Sequence, residues 1–327
     1  MIVVLVETDA KGLTTVSREA LTFARELGSR SSSAVEAVLV GTPSSETLGS
    51  LGEQGVVKVH VAEDDRLSSY AAAAWAAAVC DTVGSTAADV VIAAGTPRGM
   101  EVLAHVATRL DVAMAANVTE VTSASDDELL VRRQVVGGAA LEEMRLGDPV
   151  RVIGVAGHAC DPVAAATPAT TEVVTFAPTL TERDLVARVV RVEASEADDT
   201  GALTSARVVV GAGRGAGGPD GFADLLELTS LVGGALGVSR VVTSLGWRPH
   251  SEQVGQTGSR IAPEIYIACG ISGAIQHWAG CQSAKTILAV NTDAEAPMVT
   301  KAHYAVIGDL HEIVPAVNAE LKSRLGR

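Results

Sequence analysis

Short runs of Val, Ile, Leu and Ala, each ending at glycine or a small polar residue and followed by a segment of helical period, recur along most of this chain. Ile2 to Val6 opens the series. Val16, Ala20, Phe23, Ala24 and Leu27 then repeat at the spacing of an amphipathic helix until Gly28 supplies a C-cap. The pattern continues with Val35 to Val40 before Gly41, Val56 to Val61, an Ala-rich helix from about Leu67 to Val83, and Val90 to Ala94 before Gly95. Runs that are apolar at every position are strands covered on both faces, and helices between them act as crossovers, so the sheet is parallel and the class is α/β. Composition agrees: 47% of the residues are apolar but only 3% aromatic, so the core is built from aliphatic side chains.

At 327 residues the chain is long enough for two cores, and two domains are expected, each a mainly parallel sheet flanked by helices. Beyond Asp111 the stretches around Val118 to Val121, Leu129 to Val136 and Val150 to Val155 lack intervening helices long enough to cross over. They are expected to form an antiparallel addition to the first sheet. The stretch 194–204 is acidic and short of large apolar residues, the composition of a solvated linker. The expected division is therefore a first domain over 1–193, a linker over 194–204 and a second domain over 205–327.

The second domain restarts with Arg207 to Val210, a glycine-rich loop, and a helix whose apolar face is Phe222, Leu225, Leu226, Thr229 and Val232, stopping at Gly237. Strands are expected at Val241 to Thr243, Ile265 to Ala268, Ile287 to Val290 and Tyr304 to Ile307. Each ends in a loop of Gly, Ser, Asn or Asp. Ligands of open parallel sheets sit at the carboxyl ends of the strands, so these loops should converge on one crevice in a Rossmann-like domain.

Several function classes drop out. A formal charge of -14 disfavours contact with phosphate backbones, so no nucleic acid is expected. No apolar run has the length of a membrane span, and the N-terminal stretch lacks the basic flank of a signal peptide. Cys80, Cys160, Cys269 and Cys281 form no zinc-like cluster and read as free thiols in a reducing, cytoplasmic setting. Trp75, Trp247 and Trp278 read as packing residues, and Arg132 and Arg133 as a solvated strand edge or a partner contact.

Gly211 to Gly218 spells GAGRGAGG, and Gly211, Gly213 and Ala216 satisfy the G-x-G-x-x-G/A dinucleotide pattern. The acid that holds a ribose in that fingerprint is missing. Arg214, a cation among glycines, keeps a diphosphate ligand in view, against the alternative of a plain surface loop. Gly95 to Gly99, GTPRG, reads as an ordinary turn. A helix starting near Ser272, with Ser272, Gln276 and Gly280 on one face, would aim its N-terminal N–H groups at the crevice. Amide, hydroxyl and cation donors thus cluster where carboxylates are scarce, which argues against hydrolysis by paired acids and suits an anionic, planar cofactor such as a flavin.

In order, the chain carries GAGRG (Gly211 to Gly215), GVSR (Gly237 to Arg240), QVGQTG (Gln253 to Gly258), GISGAIQH (Gly270 to His277), AVNTDAEAP (Ala289 to Pro297) and GDLHEIVP (Gly308 to Pro315). This series resembles the alpha subunits of electron-transfer flavoproteins. The resemblance covers nearly all of the second domain and is weaker in the first. It departs at Ser244 and Leu245, at Ala302 to Tyr304, and at Cys281.

The resemblance implies an FAD-binding second domain and a heterodimer with a beta subunit held largely by the first domain. It implies Arg214 near the diphosphate, Ser239 and Arg240 on the ring, and Gln253, Val254, Gly255, Gln256 and Thr257 along the flavin, with the Thr257 hydroxyl on the central-ring nitrogen. Ser272, Gly273, Ala274, Ile275, Gln276 and His277 would span ribityl, phosphate and ring, and Asn291, Asp309 and Leu310 would complete the adenosine pocket. It further implies an electron carrier more than a substrate-transforming enzyme, taking electrons from flavin dehydrogenases such as acyl-CoA dehydrogenases and passing them to a membrane quinone oxidoreductase. Charge from Arg240 and His277 beside the ring would favour its anionic one-electron-reduced form. Two other readings stay open: a subunit of a bifurcating flavoprotein using NADH, and a non-redox nucleotide-binding regulatory module.

Overall fold

The computed structural model describes residues 1–9, 12–125, 127–136, 140–157, 159–191, 203 and 206–326. The chain divides into two compact units, Met1–Val192 and Glu193–Arg327. Of the stretch 194–204 only Leu203 is among the described residues, buried in the core of the second unit. The rest of that expected linker lies outside them.

The strands of the first unit are β1 (Ile2–Leu5), β2 (Thr8–Asp9), β3 (Gly12–Leu13), β4 (Val35–Val40), β5 (Lys58–Ala62), β6 (Val90–Ala94), β7 (Met114–Ala124), β8 (Leu129–Val135), β9 (Ala140–Leu146), β10 (Arg151–Val155) and β11 (Glu172–Phe176). Apart from β2 and β3, which pair with each other, they form one sheet in the order β11-β5-β4-β1-β6-β10-β7-β8-β9. Its pairs are parallel except β7–β8 and β8–β9. Helices α1 (Thr15–Ser31), α2 (Ser45–Glu53), α3 (Ala72–Thr86) and α4 (Pro97–Leu110) cover both faces. Alternation along β1 decides which residue meets which layer: Ile2 and Val4 pack with Leu21, Leu27 and Leu51, while Val3 and Leu5 pack with Val79, Val83, Val102 and Val106.

The structure departs from several local expectations. Helix α1 runs past Gly28 to a left-handed cap at Ser32, whose N–H bonds the Gly28 carbonyl. Gly28 is glycine because the returning chain passes over it: a Cβ there would sit 2.6 Å from the Ser33 carbonyl oxygen. The Ala-rich helix begins at Ala72, since Asp65–Leu67 forms a separate short turn of helix started by the Asp64 side chain. Only β7, β8 and β9 make the antiparallel addition, whereas β10 lies between β6 and β7, parallel to both. The turn at GTPRG is the start of α4, with Thr96 accepting from the Gly99 N–H and Pro97 in the first turn.

The second unit contains β12 (Val208–Ala212), β13 (Ala235–Val238), β14 (Ile265–Cys269), β15 (Thr286–Asn291) and β16 (Tyr304–Ile307) in the order β13-β12-β14-β15-β16. All four pairings are parallel. Around it lie α5 (Ala223–Leu231), α6 (Arg240–Ser244), α7 (Ile275–Cys281), α8 (Pro297–Lys301) and α9 (Leu310–Leu325). Two readings exchange places. Gly233, with φ of 60°, ends α5, so Ala235–Val238 becomes a strand rather than the tail of that helix. Val241 to Thr243, read as a strand, lies in α6, with Val242 buried and Val241 exposed. The mixed α/β architecture expected from the sequence therefore stands, with a parallel-rich sheet in the first unit and a parallel sheet in the second, each flanked by helices.

Candidate functional site

Because every strand of the second sheet runs the same way, its five carboxyl ends open on one edge. The chain leaves β12 toward β13 on one side and returns to β14 on the other, so the switch point lies between β12 and β14, where ligands of such sheets bind. The loops after β12 and β14 meet there: Gly213 N–H donates to the Cys269 carbonyl at 2.9 Å and Gly215 N–H to the Gly270 carbonyl at 3.1 Å. A Cβ at Gly213 would collide with the Gly270 carbonyl, and one at Gly211 with the Tyr266 hydroxyl. The glycines of GAGRGAGG thus serve loop packing, and the N–H groups of Gly213, Gly215, Ala216 and Gly217 all bond protein carbonyls. The handle this loop offers an anion is the Arg214 side chain, which is exposed.

The described arginines of the second unit sort into two groups. Arg207, Arg248 and Arg324 pair with Glu264, Glu252 and Glu320. Arg214, Arg240 and Arg260 are exposed and make no ion pair with a described residue. Arg214 follows β12 and Arg240 follows β13, strands joined in register at Ala212 and Val238, so both leave the same end of the sheet. In a chain of net charge -14, guanidinium groups at strand ends with no carboxylate partner among the described residues are the chemistry that attracts an anion. Arg260, the residue sequence reasoning passed over, stands two residues beyond QVGQTG.

That loop runs beside β13: Val254 N–H donates to the Val238 carbonyl at 2.9 Å. Its first residue, Gln253, is buried, its Oε1 accepting from the Thr243 hydroxyl at 2.6 Å and its Nε2 donating to Thr257 Oγ1 at 3.1 Å. Thr257 and Gln256 are exposed. The loop is fastened to α7 through Gln256 N–H, which donates to the Gln276 carbonyl at 2.7 Å, and through a close approach of Gly255 and Gly280 that leaves no room for a Cβ on Gly280.

The helix after β14 begins at Ile275, so Ser272 to Ala274 form the loop before it and Ser272 does not share a helical face with Gln276 and Gly280. Ser272, Ala274, Ile275 and Gln276 are exposed. Gly273 adopts φ of 80° against the Met298 backbone. His277 turns inward. Its ring is buried, stacked on Tyr266 at a centroid distance of 6.1 Å, with Nε2 2.8 Å from the Tyr266 hydroxyl. Burial pulls its pKa down to about 4, with the Val254 backbone acting the other way. Burial also raises the Tyr266 phenol well above its ordinary value. At neutral pH, His277 is therefore an uncharged imidazole, which replaces the cation expected there with a polar neutral group. The thiols of Cys269 and Cys281 are pushed up to about 12 by burial and are not thiolates at neutral pH.

The remaining strand ends carry Asn291, whose Nδ2 donates to the Ile271 carbonyl and whose Oδ1 accepts from Asp293 N–H, and Asp309, whose carboxylate caps α9 by accepting from His311 N–H. Leu310 is buried, its side chain lying over Gly215 and Gly270. The edge as a whole presents two unpaired guanidinium groups, a hydroxyl on Thr257 and amides on Gln256 and Gln276. This donor set fits the phosphates and ring edge of a flavin nucleotide. No group of three or more potential metal ligands occurs among the described residues, and none of their helices is long and apolar enough to cross a membrane.

Residues 2–181 match the family described as electron transfer flavoprotein domain, and residues 202–282 match the electron transfer flavoprotein FAD-binding domain. The electron transfer flavoprotein subunit alpha of Mycobacterium leprae is 35% identical over 99% of this chain and 98% of its own length. The chain belongs to the electron transfer flavoprotein alpha-subunit family. The subunit alpha of Thermoanaerobacterium thermosaccharolyticum is 32% identical over 95% of this chain and 94% of its own length, and the protein FixB of Bradyrhizobium diazoefficiens is 31% identical over 98% and 88%. Within this alpha-subunit family member, the stretch matching the FAD-binding domain holds the loops after β12, β13 and β14 with Arg214, Arg240, Thr257 and His277; Asn291, Asp309 and Leu310 lie beyond it.

Proposed function

We propose that this chain is the FAD-holding subunit of a heterodimeric electron carrier, working with a beta subunit in a reducing compartment such as the cytoplasm. It would receive electrons from flavin dehydrogenases, acyl-CoA dehydrogenases among them, and pass them to a membrane quinone oxidoreductase. The observation that carries this reading is the pair Arg214 and Arg240, two exposed guanidinium groups without carboxylate partners among the described residues, at the carboxyl ends of adjacent parallel strands. When bound, FAD supplies the redox chemistry. The chain supplies the setting. Arg214 holds the diphosphate by charge-assisted hydrogen bonds, and Arg240 offers positive potential beside the ring, where negative charge accumulates on reduction. Thr257 presents a hydroxyl to the ring edge, and neutral His277 contributes a fixed dipole rather than a charge. Ser239, Val254 to Gln256 and Ser272 to Gln276 line the ring and chain of the cofactor, while Asn291, Asp309 and Leu310 shape the adenosine end. The side chains proposed on the ring are not a paired acid and base, in keeping with a carrier rather than a substrate-transforming enzyme.

The test is a visible spectrum of the full chain co-expressed with its beta-like partner, followed by stepwise reduction with dithionite and transfer to an artificial acceptor. A yellow heterodimer that reduces and reoxidises supports the reading. A colourless one that binds a free nucleotide favours the regulatory module instead.

A further inference from the structure

Gln253 has no side chain on the surface to offer a ligand. It is 2% exposed, and both ends of its amide are engaged within the protein. Those two ends reach two different pieces of the site. Oε1 accepts from Thr243 in α6, the helix that starts at Arg240, and the Thr243 hydroxyl also lies 3.0 Å from the Arg240 carbonyl. Nε2 donates to Thr257, exposed in the loop 253–258.

We propose that Gln253 is a positioning residue that acts on a bound flavin only through Thr257, by taking the Thr257 oxygen as its acceptor and leaving the Thr257 O–H directed outward as a donor. The chemistry follows from counting hydrogens. A threonine hydroxyl has one hydrogen to give. With Nε2 of a buried amide already donating to Oγ1, the oxygen serves as acceptor on the protein side and its hydrogen is available on the other. An amide turned end for end would do the reverse, drawing the Thr257 hydrogen inward to Oε1 and presenting only lone pairs to the ligand.

This inference rests on the flavin reading, and a double-mutant cycle in the co-expressed complex separates the two. Gln253→Met keeps the length and burial of the side chain and removes both hydrogen bonds; Thr257→Ala removes the hydroxyl. FAD dissociation constants and the position of the visible flavin band are measured for the wild type, each single variant and the double variant, together with thermal unfolding. Each single change is expected to weaken FAD by roughly five- to tenfold, the worth of one hydrogen bond, with the same band shift in both. In the double variant the effect should be no larger than in Thr257→Ala alone. Multiplying effects in the double variant, or a Gln253→Met protein with wild-type affinity and band position, overturns the positioning role while leaving the flavin site standing. A wild-type complex that takes up no flavin overturns the functional reading and this role with it. Should Gln253→Met fail to fold, Gln253→Leu carries the same cycle: it too is apolar and removes both hydrogen bonds, and it is held to the same outcomes.

Discussion

At the scale of single residues, what distinguishes this site is which polar groups the protein spends on itself and which it leaves free. Arg214 and Arg240 are exposed and make no ion pair with a described residue. Hydrogen bonds to charged groups are worth about 1.5–3 kcal/mol, so Arg214→Ala should weaken FAD retention by roughly ten- to a hundredfold, read by equilibrium dialysis. Arg240→Ala should keep most of the flavin and lower its midpoint potential, since a cation beside the ring favours the reduced, more negative form; an unchanged potential would remove Arg240 from the ring. His277 bonds Tyr266 through Nε2 and is buried, and this burial has a pH signature. Its folded pKa of about 4 lies below the ordinary 6.5 because the charged form is desolvated. Below pH 6.5 the unfolded chain therefore takes up a proton that the folded chain refuses. The stability present above pH 6.5 falls as the pH drops toward 4, by up to about 3 kcal/mol. Urea unfolding across that window should show the slope, and His277→Gln should flatten it; equal slopes in both proteins would mean that His277 is not the neutral buried group described here.

At the scale of elements, the site is assembled by glycines that let one loop rest on another. Gly280 is the sharpest case. Replacing a helical glycine by alanine favours a helix by about 1 kcal/mol, but a Cβ on Gly280 would run into the Gly255 backbone. Displacing packed backbone costs about 1–3 kcal/mol, so the steric effect wins. Gly280→Ala should lower the melting temperature and loosen FAD together, because the loop it pushes carries Thr257; a stabilised variant would contradict that packing.

The elements also mark how far the sequence alone reaches. Strands whose every residue is apolar, such as Ile2–Leu5 and Val90–Ala94, are legible because burial on both faces writes itself into composition. Ala140–Leu146 is not, since ALEEMRL has the composition of a helix but pairs along its whole length with β8, with Leu146 and Met144 packed on the core and Glu142 and Glu143 facing Arg133 and Arg132. Ala235–Val238 and Arg240–Ser244 are exchanged for a related reason. The β-branched run belongs to the helix and the glycine-bearing one to the strand, because the positive φ at Gly233 decides where α5 stops. In the site, the strand-end donors can be read in order along the chain. The bonds from Gln253 to Thr243 and from His277 to Tyr266 cannot, because each joins residues on different elements whose facing is set only by the fold.

At the scale of the whole molecule, the sheet edges are protected unequally. β9 carries Glu142, Glu143 and Arg145, charges that discourage pairing with another strand. The free side of β13 is flanked by Gln253 and Val254. Among the described residues β16 has neither kind of protection: its one partner there is β15, and Tyr304, Ala305, Val306 and Ile307 are all exposed. An apolar edge of this kind is a template for strand addition. The chain purified without a partner should therefore self-associate as its concentration rises, read by light scattering. Val306→Lys should shift that association to higher concentration with only a small change in melting temperature, because the side chain is 40% exposed. A wild-type chain that stays monomeric under the same conditions would show that the β16 edge is shielded by means other than charge, and the Lys variant would then have nothing to correct.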